Sequence, residues 1–195
     1  GSDKNEQELV DLCDVARLMP TLARPRWMQA GQRHNVSFEV IVDARPVPTV
    51  HVIVAEIREL LLNLIFNAVD AMPEGGRITI ATHQADDGSA VVSVSDEGVG
   101  MSKDVQHRIF QPFFSTKGDQ GSGLGLSVCQ TIATRHRGRL SVESTPGSGA
   151  TFTLTLPAAS PALVADPRPH RSRAATGYAT QQRVLFVDDQ EEVRA

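Results

Sequence analysis

The fold is decided by a stretch in the middle of the sequence that reads Glu59-Leu-Leu-Leu-Asn63-Leu-Ile-Phe-Asn67-Ala-Val-Asp70-Ala71. Its apolar residues recur at helical spacing, so the pattern predicts a helix over residues 54–72. The apolar stripe of this helix consists of Leu60, Leu61, Leu64, Ile65 and Ala68. Asn63 and Asn67 are four residues apart, so their amides project from one face. Since asparagine lowers helix propensity, the pair indicates either a polar helix edge bonded to a neighbouring loop or amide ligands for Mg²⁺ shared with substrate phosphates.

Further helices and strands flank this stretch. Period-two alternation predicts five strands, at residues 36–42, 77–83, 90–95, 139–143 and 151–156. Helical spacing predicts three more helices, at residues 8–19 with Pro20 as a stop, at 103–110 and at 124–135. Short glycine-containing turns join two pairs of strands as hairpins, which leaves no room for the crossover helices of a doubly wound parallel sheet. The sequence therefore predicts an α+β fold, in which helices cover one face of a mixed, mostly antiparallel sheet.

Composition places the chain among ordinary globular proteins. Its 195 residues are 41% hydrophobic and 22% charged, which excludes collagenous and wholly disordered classes. A net charge of −4 gives no basic excess for binding nucleic acid or an anionic membrane surface. No apolar run in the sequence is long enough to span a bilayer. Cys13 and Cys129 stand far apart, in no metal or redox spacing, so we expect two buried, inert thiols and a cytoplasmic location.

Shifts in composition divide the chain into four segments. We expect residues 1–7 to be a tag or disordered start and residues 8–157 to hold the globular domain. Residues 158–182 are rich in proline, alanine and arginine without periodicity, which is typical of a linker. Residues 183–195 contain a short apolar run that ends in two aspartates. We expect this last segment to be the first strand of a further domain that the sequence cuts off.

A first glycine motif, Asp96-Glu-Gly98-Val-Gly100-Met101, directly follows a predicted strand. Its glycines let the main chain approach a ligand closely or adopt positive φ. A carboxylate at the end of a strand can accept a hydrogen bond from an exocyclic amine such as that of adenine. Alone, this motif is equally typical of an ordinary turn.

A second glycine motif, Gly121-Ser-Gly123-Leu-Gly125-Leu126, opens a predicted helix and follows Phe113-Phe-Ser-Thr-Lys117. A glycine loop at a helix N-terminus offers backbone N–H groups to a phosphate chain, and Lys117 adds a positive charge. The two common phosphate loops are excluded, because position 126 is Leu and no lysine follows a glycine in the required register. The motif therefore indicates a different kind of nucleotide site.

Taken in order, these motifs resemble the ATP-binding domain shared by sensor histidine kinases, gyrase B, Hsp90 and MutL, which has a Bergerat-type α/β sandwich fold. The resemblance covers residues 8–157 and includes two further motifs, Phe110-x-Pro112-Phe113-Phe114 and Gly147-x-Gly149-x-Thr151. The phenylalanine motif and the Gly-Leu-Gly-Leu form are similar to histidine kinases specifically. The short stretch 113–121 is similar to the nitrogen-regulator-like subgroup, in which the mobile lid over ATP is compact.

The resemblance implies that the chain binds ATP and Mg²⁺, and it gives roles to single residues. Asn67 would ligate the Mg²⁺ ion, and Asn63 would lie close to the phosphates and the metal. Asp96 would accept a hydrogen bond from the adenine amino group, and Thr151 would lie near the adenine edge through a water molecule. Asn63, Asn67 and Lys117 would be the catalytic residues.

The remaining implied contacts belong to the phosphate loop and its lid. The loop backbone and Lys117 would hold the β- and γ-phosphates, and Phe113 and Phe114 would anchor the lid. We expect residues 101–121 to be mobile without nucleotide, because they are bracketed by glycines and poor in apolar anchors. The complete ATP-binding set implied by the resemblance is Asn63, Asn67, Asp96, Gly98, Gly100, Met101, Phe113, Phe114, Ser115, Thr116, Lys117, Gly121, Ser122, Gly123, Leu124, Gly125, Leu126 and Thr151.

The chain departs from many relatives in one position. They carry a basic residue three positions after the second helix asparagine, where this chain has Asp70. Because an acid cannot neutralise phosphate, we expect Lys117 and Mg²⁺ to take more of that task. The nitrogen-regulator-like subgroup commonly shows an acid here, so the departure does not indicate an inactive protein.

The resemblance implies a protein-histidine kinase that transfers the γ-phosphoryl group of ATP in two-component signalling. ATP-hydrolysing relatives place a glutamate where this chain has Asn63, and an amide cannot act as a base. None of the six histidines has the sequence setting of a phosphoacceptor. The expected partners are therefore a histidine-containing dimerisation domain of the same kinase and a receiver domain or response regulator.

Residues 184–189 resemble the opening strand of a receiver domain, so we expect a hybrid kinase. The open alternatives are an ATPase of the gyrase or MutL kind, a nucleotide-binding pseudokinase that regulates a partner, and a serine/threonine-directed anti-sigma kinase.

Overall fold

The computed structural model describes residues 6–116 and 122–159. The predictions made for residues 1–5 and for 160–195, which include most of the linker and the receiver-like strand, lie outside the described residues. The described elements, in chain order, are β1 (Glu8–Val10), α1 (Leu12–His34), β2 (Phe38–Ala44), β3 (Val50–Val52), α2 (Val54–Ala71), β4 (Gly76–Gln84), β5 (Ala90–Asp96), α3 (Lys103–Arg108), α4 (Gly125–Arg135), β6 (Arg139–Ser144) and β7 (Ala150–Leu156). Within those two ranges no helix is long and apolar enough to cross a membrane.

Five strands form one mixed sheet in the order β2-β4-β5-β7-β6. The pair β2 and β4 is parallel, and the other three neighbouring pairs are antiparallel. The parallel pair is possible because α2 lies between its strands in the chain and provides the crossover. Both predicted hairpins, β4–β5 and β6–β7, are confirmed, as is the predicted fold class.

The helix α2 packs against the sheet and against both α1 and α4. All five residues of the predicted stripe are buried, with at most 2% of their surface exposed. Removing a leucine or isoleucine side chain from water stabilises the fold by about 1.5–3 kcal/mol. The stripe on α2 therefore fixes the helix against the sheet, while the asparagines lie beside the stripe and are half-buried.

The predicted end of the first helix at Pro20 is wrong. The helix α1 begins only after β1, with the Asp11 side chain accepting a hydrogen bond from the Cys13 backbone N–H at 2.8 Å, and it continues through Pro20 and Pro25. A proline inside a helix costs about 3 kcal/mol or more. Burial of Ala23 and Trp27, which lie on the helix beyond Pro20, offsets that cost.

The two-stranded sheet was missed by the sequence patterns. β1 pairs antiparallel with β3, and each strand has only three residues. Segments this short show no detectable alternation, and residues 8–10 fall into a pattern that also fits a helix. The pairing places Val10 against Val50, and both side chains join the core.

Both cysteines are buried and free, as the sequence predicts. Burial raises the pKa of the Cys13 thiol, and it raises the pKa of the Cys129 thiol to about 12. A thiol needs to be ionised to react as a nucleophile, so both side chains act as small apolar core groups.

A partly buried cluster of polar side chains connects the start of α2 to the end of α4. The Glu56 carboxylate contacts Nε2 of His136 at 2.9 Å and also pairs with the guanidinium of Arg135. The His136 side chain is fully buried and its Nδ1 has no hydrogen-bond partner. Glu56 is therefore the group that satisfies this buried imidazole.

We expect Glu56→Ala to lower the free energy of unfolding by about 1–3 kcal/mol, because it leaves the buried His136 nitrogen without a partner. Urea denaturation measures this loss. The matched control is Glu59→Ala on the exposed side of the same helix, which should change the free energy of unfolding by less than about 0.5 kcal/mol. Equal decreases in the free energy of unfolding of the two variants would show that the Glu56 cluster does not stabilise the fold.

Candidate functional site

The two asparagines lie on the outer face of α2 and are half-buried. Asn63 faces the start of α4, since a Cβ placed on Gly125 would lie 3.9 Å from the Asn63 Oδ1 atom. An interaction between Asn63 and the Cys129 thiol on the same side of α4 also lowers the pKa of that thiol against the larger effect of burial. The structure therefore brings the first asparagine to the N-terminus of the helix that follows the glycine loop.

The N-terminus of α4 is suited to an anion. Leu124 is its N-cap residue and has no side-chain acceptor for the free N–H groups of the first turn. Ser122 accepts one hydrogen bond, from the Leu124 N–H at 3.4 Å. The free N–H groups and the positive end of the helix dipole together favour a phosphate at this position.

Asp96 is a buried carboxylate at the end of β5, with 9% of its surface exposed. Its Oδ1 accepts a hydrogen bond from the Gly98 backbone N–H at 2.9 Å. Burial raises the pKa of the Asp96 carboxyl, and hydrogen bonds from the backbone N–H groups of Gly98 and Ala150 oppose that rise. Among the described residues no cation pairs with it, so this carboxylate is suited to a neutral donor such as an exocyclic amine.

The turn after Asp96 is held between two other parts of the chain. The Val99 backbone N–H donates to the Ala71 carbonyl at the end of α2, at 3.0 Å, and the Val99 carbonyl accepts from the Gly147 N–H in the β6–β7 turn at 2.7 Å. A Cβ on Gly98 would lie 2.5 Å from the Ala71 oxygen, so only glycine allows this approach. The glycine that the sequence assigns to ligand approach is thus required by the packing of the turn on α2.

Met101 is fixed by contacts that the sequence did not predict. Its backbone N–H donates to Ser144 Oγ at 2.9 Å, and its carbonyl accepts from Gln106 Nε2 at 3.0 Å. The same Gln106 amide donates to the Ser144 carbonyl at 2.8 Å. Gln106 and Ser144 thus connect the start of α3 to β6. Neither residue belongs to a motif that can be recognised in a single sequence.

The predicted shortage of apolar anchors after Met101 is wrong for the first half of that stretch. Ile109 is buried, and Val105, Phe110 and Phe114 pack partly against the core. The apolar residues of α3 and the phenylalanine motif are spaced so that one side of this stretch faces the sheet and helices. Whether residues 101–121 move without nucleotide stays a prediction.

The two phenylalanines predicted as lid anchors differ in position. Phe114 packs against the core, and the Arg108 guanidinium carbon lies 4.3 Å from its ring centroid. Phe113 is 78% exposed and has φ of 65°, so its side chain does not anchor anything in this structure. Its backbone is fixed instead, because the Phe113 N–H donates to the Gly123 carbonyl at 3.0 Å.

The remaining predicted residues of this region are described only in part. Ser115 and Thr116 follow the phenylalanines, Ser122 precedes Gly123, and Leu126 packs partly against the core from the first turn of α4. Lys117 and Gly121 lie outside the described residues.

Thr151 lies on the opposite face of the sheet from Asp96, which corrects its predicted location. Its Oγ1 is hydrogen-bonded to Ser95 Oγ at 2.9 Å, and both residues alternate with buried neighbours. In the β5–β7 register it is Ala150 that stands directly opposite Asp96. Because side chains alternate across a strand, Ala150 shares the carboxylate's face and Thr151 does not.

Asp70 has a partner that the sequence did not reveal. Its Oδ1 accepts from Arg26 of α1 at 2.8 Å, and the same guanidinium lies 5.9 Å from the centroid of the Phe66 ring. Arg26 escaped prediction because it follows Pro20, where the sequence pattern had ended the helix. The position at which many relatives carry a basic residue is occupied here by Asp70, which is paired with an arginine from another helix.

The chain is similar to proteins of a known family. Residues 53–160 match the family described as histidine kinase-, DNA gyrase B-, and HSP90-like ATPase. The chain is 48% identical over 101 residues, 52% of its length, to the sensor histidine kinase ZraS of Klebsiella oxytoca. It spans 22% of the length of that relative.

Solved structures of histidine kinases share the fold. Full-length ShkA in complex with AMPPNP aligns with a TM-score of 0.67 and 28% identity, over 83% of this chain and 34% of ShkA. The nucleotide-free catalytic domain of histidine kinase ThkA aligns with a TM-score of 0.63 and 28% identity, over 78% of this chain and 95% of that domain.

We expect Gly100→Ala to destabilise the domain far more than Gly147→Ala. Both glycines have positive φ, at 64° and 76°, but a Cβ on Gly100 would lie 2.0 Å from the Thr145 carbonyl oxygen, whereas one on Gly147 meets nothing within 4 Å. The control should lose about 1–2 kcal/mol for a left-handed backbone alone. The test variant should lose about 3 kcal/mol or more, because its backbone also has to shift.

Urea denaturation of both variants measures the difference. Similar free energies of unfolding would mean that the turn after Asp96 is not tightly packed against the β6–β7 turn.

Proposed function

We propose, from the premise that this chain belongs to the histidine kinase-, DNA gyrase B-, and HSP90-like ATPase family, that it is the ATP-binding catalytic domain of a sensor histidine kinase. Its reaction is the transfer of the γ-phosphoryl group of ATP to a histidine on a dimerisation domain. The observation that carries this proposal is the position of Asn63, an amide beside the N-terminus of α4. A carboxylate there would serve water activation, whereas an amide serves binding alone.

The described residues fit ATP at both of its ends. Asp96 is a buried acceptor for the adenine amino group, and the uncapped first turn of α4 is suited to the phosphates. Asn63 and Asn67 lie on α2 between the Asp96 carboxylate and the first turn of α4. Ala150, on the face that Asp96 occupies, replaces Thr151 as the β7 residue nearest the base in this proposal.

The residues also fit Mg²⁺ that is shared with the nucleotide. No group of three or more His, Cys, Asp or Glu side chains within the described residues could hold a metal by itself. Amide oxygens are hard ligands, and Mg²⁺ is commonly bound by few protein groups together with substrate phosphates. Asn67 would hold the ion with Asn63 beside it, and the bound ion would neutralise phosphate charge during transfer.

Phosphoryl transfer in such a site depends on positioning and charge neutralisation. A neutral imidazole on the dimerisation domain can attack the γ-phosphorus without a base, and ADP leaves as the P–O bond breaks. His136 cannot be that acceptor, because it is fully buried against Glu56. The amide at position 63 keeps ATP from rapid hydrolysis until the acceptor arrives.

Four finer statements extend this proposal. The compact stretch 113–121 supports the nitrogen-regulator-like subgroup, and the Val-Leu-Phe-Val-Asp-Asp run at 184–189 supports a receiver domain after a linker at 158–182. The low net charge and the absence of a long apolar run in the sequence support a catalytic domain in the cytoplasm. Lys117 and the backbone of residues 121–126 would bind the β- and γ-phosphates.

The proposal is tested by adding a histidine-bearing dimerisation domain of a related kinase to this chain with γ-labelled ATP. We expect acid-labile label on the added domain and little steady phosphate release by the chain alone. Steady release without the added domain would instead indicate an ATPase. Tight ATP binding without any phosphohistidine would indicate a pseudokinase.

We expect Asp96→Asn to weaken ATP binding by about tenfold or more, because it removes a charged acceptor for the adenine amino group. GTP, which carries a carbonyl at that position, should bind weakly to both proteins. Competition titrations with ATP and GTP measure this selectivity. Asp87→Asn, in the exposed turn before the same strand, is the control and should leave it unchanged; equal ATP and GTP affinity in the parent would contradict the assignment.

We expect Asn67→Ala to remove most of the gain in ATP affinity that Mg²⁺ provides, by about tenfold, since it deletes the proposed metal ligand. Titrations with ATP in magnesium and in chelator give this ratio for each protein. Gln130→Ala removes an amide from the exposed side of α4 and serves as the control. An unchanged magnesium effect in Asn67→Ala would remove this residue from the metal site.

A further inference from the structure

Asp70 creates an electrostatic problem on the face of α2 that carries the asparagines. It follows Asn67 by three residues and Asn63 by seven, so all three side chains project from the same side of the helix. A carboxylate beside a bound polyphosphate would repel it. A positive charge close to Asp70 would offset this repulsion in a site that binds ATP along this face.

Arg26 of α1 provides that charge at a fixed position. Its guanidinium is held by Asp70 at 2.8 Å and lies over the Phe66 ring, 5.9 Å from the ring centroid. Two contacts from α2 thus restrict a side chain that is otherwise long and flexible. The side chain remains 40% exposed, whereas its Nε is buried and has no hydrogen-bond partner among the described residues.

We propose that Arg26 contacts the polyphosphate of the bound nucleotide and that Asp70 positions it for this contact. This inference rests on the proposed function, since it names a further binding residue of the same site. Arginine has five N–H donors in a planar fork that matches phosphate oxygens, so it can bind Asp70 and a phosphate at once.

The pair lies within one helical turn of Asn67, the proposed metal ligand. Asp70 lies about 4.5 Å beyond Asn67 along the helix axis, on the side away from the N-terminus of α4. A phosphate oxygen that shares the Mg²⁺ ion with Asn67 would therefore lie within reach of an arginine side chain. The ion pair also ties α1 to α2, so a helix with no residue in any recognised motif becomes part of the site.

The test is calorimetric titration of the 195-residue chain with Mg·ATP. Arg26→Ala should weaken binding by about tenfold or more, as expected for loss of a charge-assisted hydrogen bond. Arg17→Ala removes an exposed arginine from the same helix and should bind like the parent. If Arg26→Ala does not fold, as judged by thermal unfolding, Arg26→Gln takes its place, because it retains much of the side-chain stem.

Two double variants separate a phosphate contact from simple cancellation of Asp70. Arg26→Ala with Asp70→Asn should stay weak, because the arginine that contacts the phosphates is still missing, whereas restored affinity would mean that Arg26 only neutralises Asp70 and would overturn the proposal. Arg26→Ala with Asp70→Lys should recover affinity, since it returns a cation to the same face.

The parent protein separates this inference from the proposed function. Parental affinity in Arg26→Ala, with normal binding by the parent, overturns the role of Arg26 alone. Absence of Mg·ATP binding by the parent overturns the proposed function and this inference with it.

Discussion

The site depends on how closely the backbone turn after Asp96 packs against its surroundings. At Gly98 and Gly100 the chain comes so near to the end of α2 and to the β6–β7 turn that a Cβ at either position would overlap a carbonyl oxygen. This packing buries the Asp96 carboxylate at the meeting point of three segments. It also fixes the distance between that carboxylate and the asparagines, because the turn is hydrogen-bonded to the last residue of α2. Specific recognition of a base requires such a fixed acceptor.

The charged and partially charged groups at the site are for the most part not paired with one another. Asp96 has backbone N–H partners and a raised pKa, and the two asparagines are uncharged. The first turn of α4 provides partial positive charge without a lysine or arginine. A polyanion with a divalent cation complements this distribution, whereas a neutral ligand would leave the helix terminus unsatisfied. The Glu56 cluster differs, because there the polar side chains of Glu56, Arg135 and His136 contact one another.

The sequence predicted the parts of the fold that local patterns determine. The stripe on α2, both hairpins and the helix after the glycine loop follow from periodicity and turn residues, and the motifs located Asp96 and the asparagines. Errors arose where tertiary packing overrides local preference, as at Pro20, where buried residues further along α1 keep the helix intact. Thr151 was misplaced because a motif gives order along the chain, while strand register decides which face a residue occupies. The missed contacts of Arg26, Gln106 and Ser144 all join segments that are distant in sequence.

Three polar residues along the outer face of α2 contact the two neighbouring helices. Glu56 reaches the end of α4, Asn63 reaches its start, and Asp70 reaches α1. A shift of α4 would therefore change the site near Asn63, and a shift of α1 would change it near Asp70. The hydrogen bond between the Phe113 N–H and the Gly123 carbonyl adds a further connection, because it lies one residue before the N-cap of α4. It holds the backbone of the phenylalanine motif beside the helix N-terminus that is suited to a phosphate.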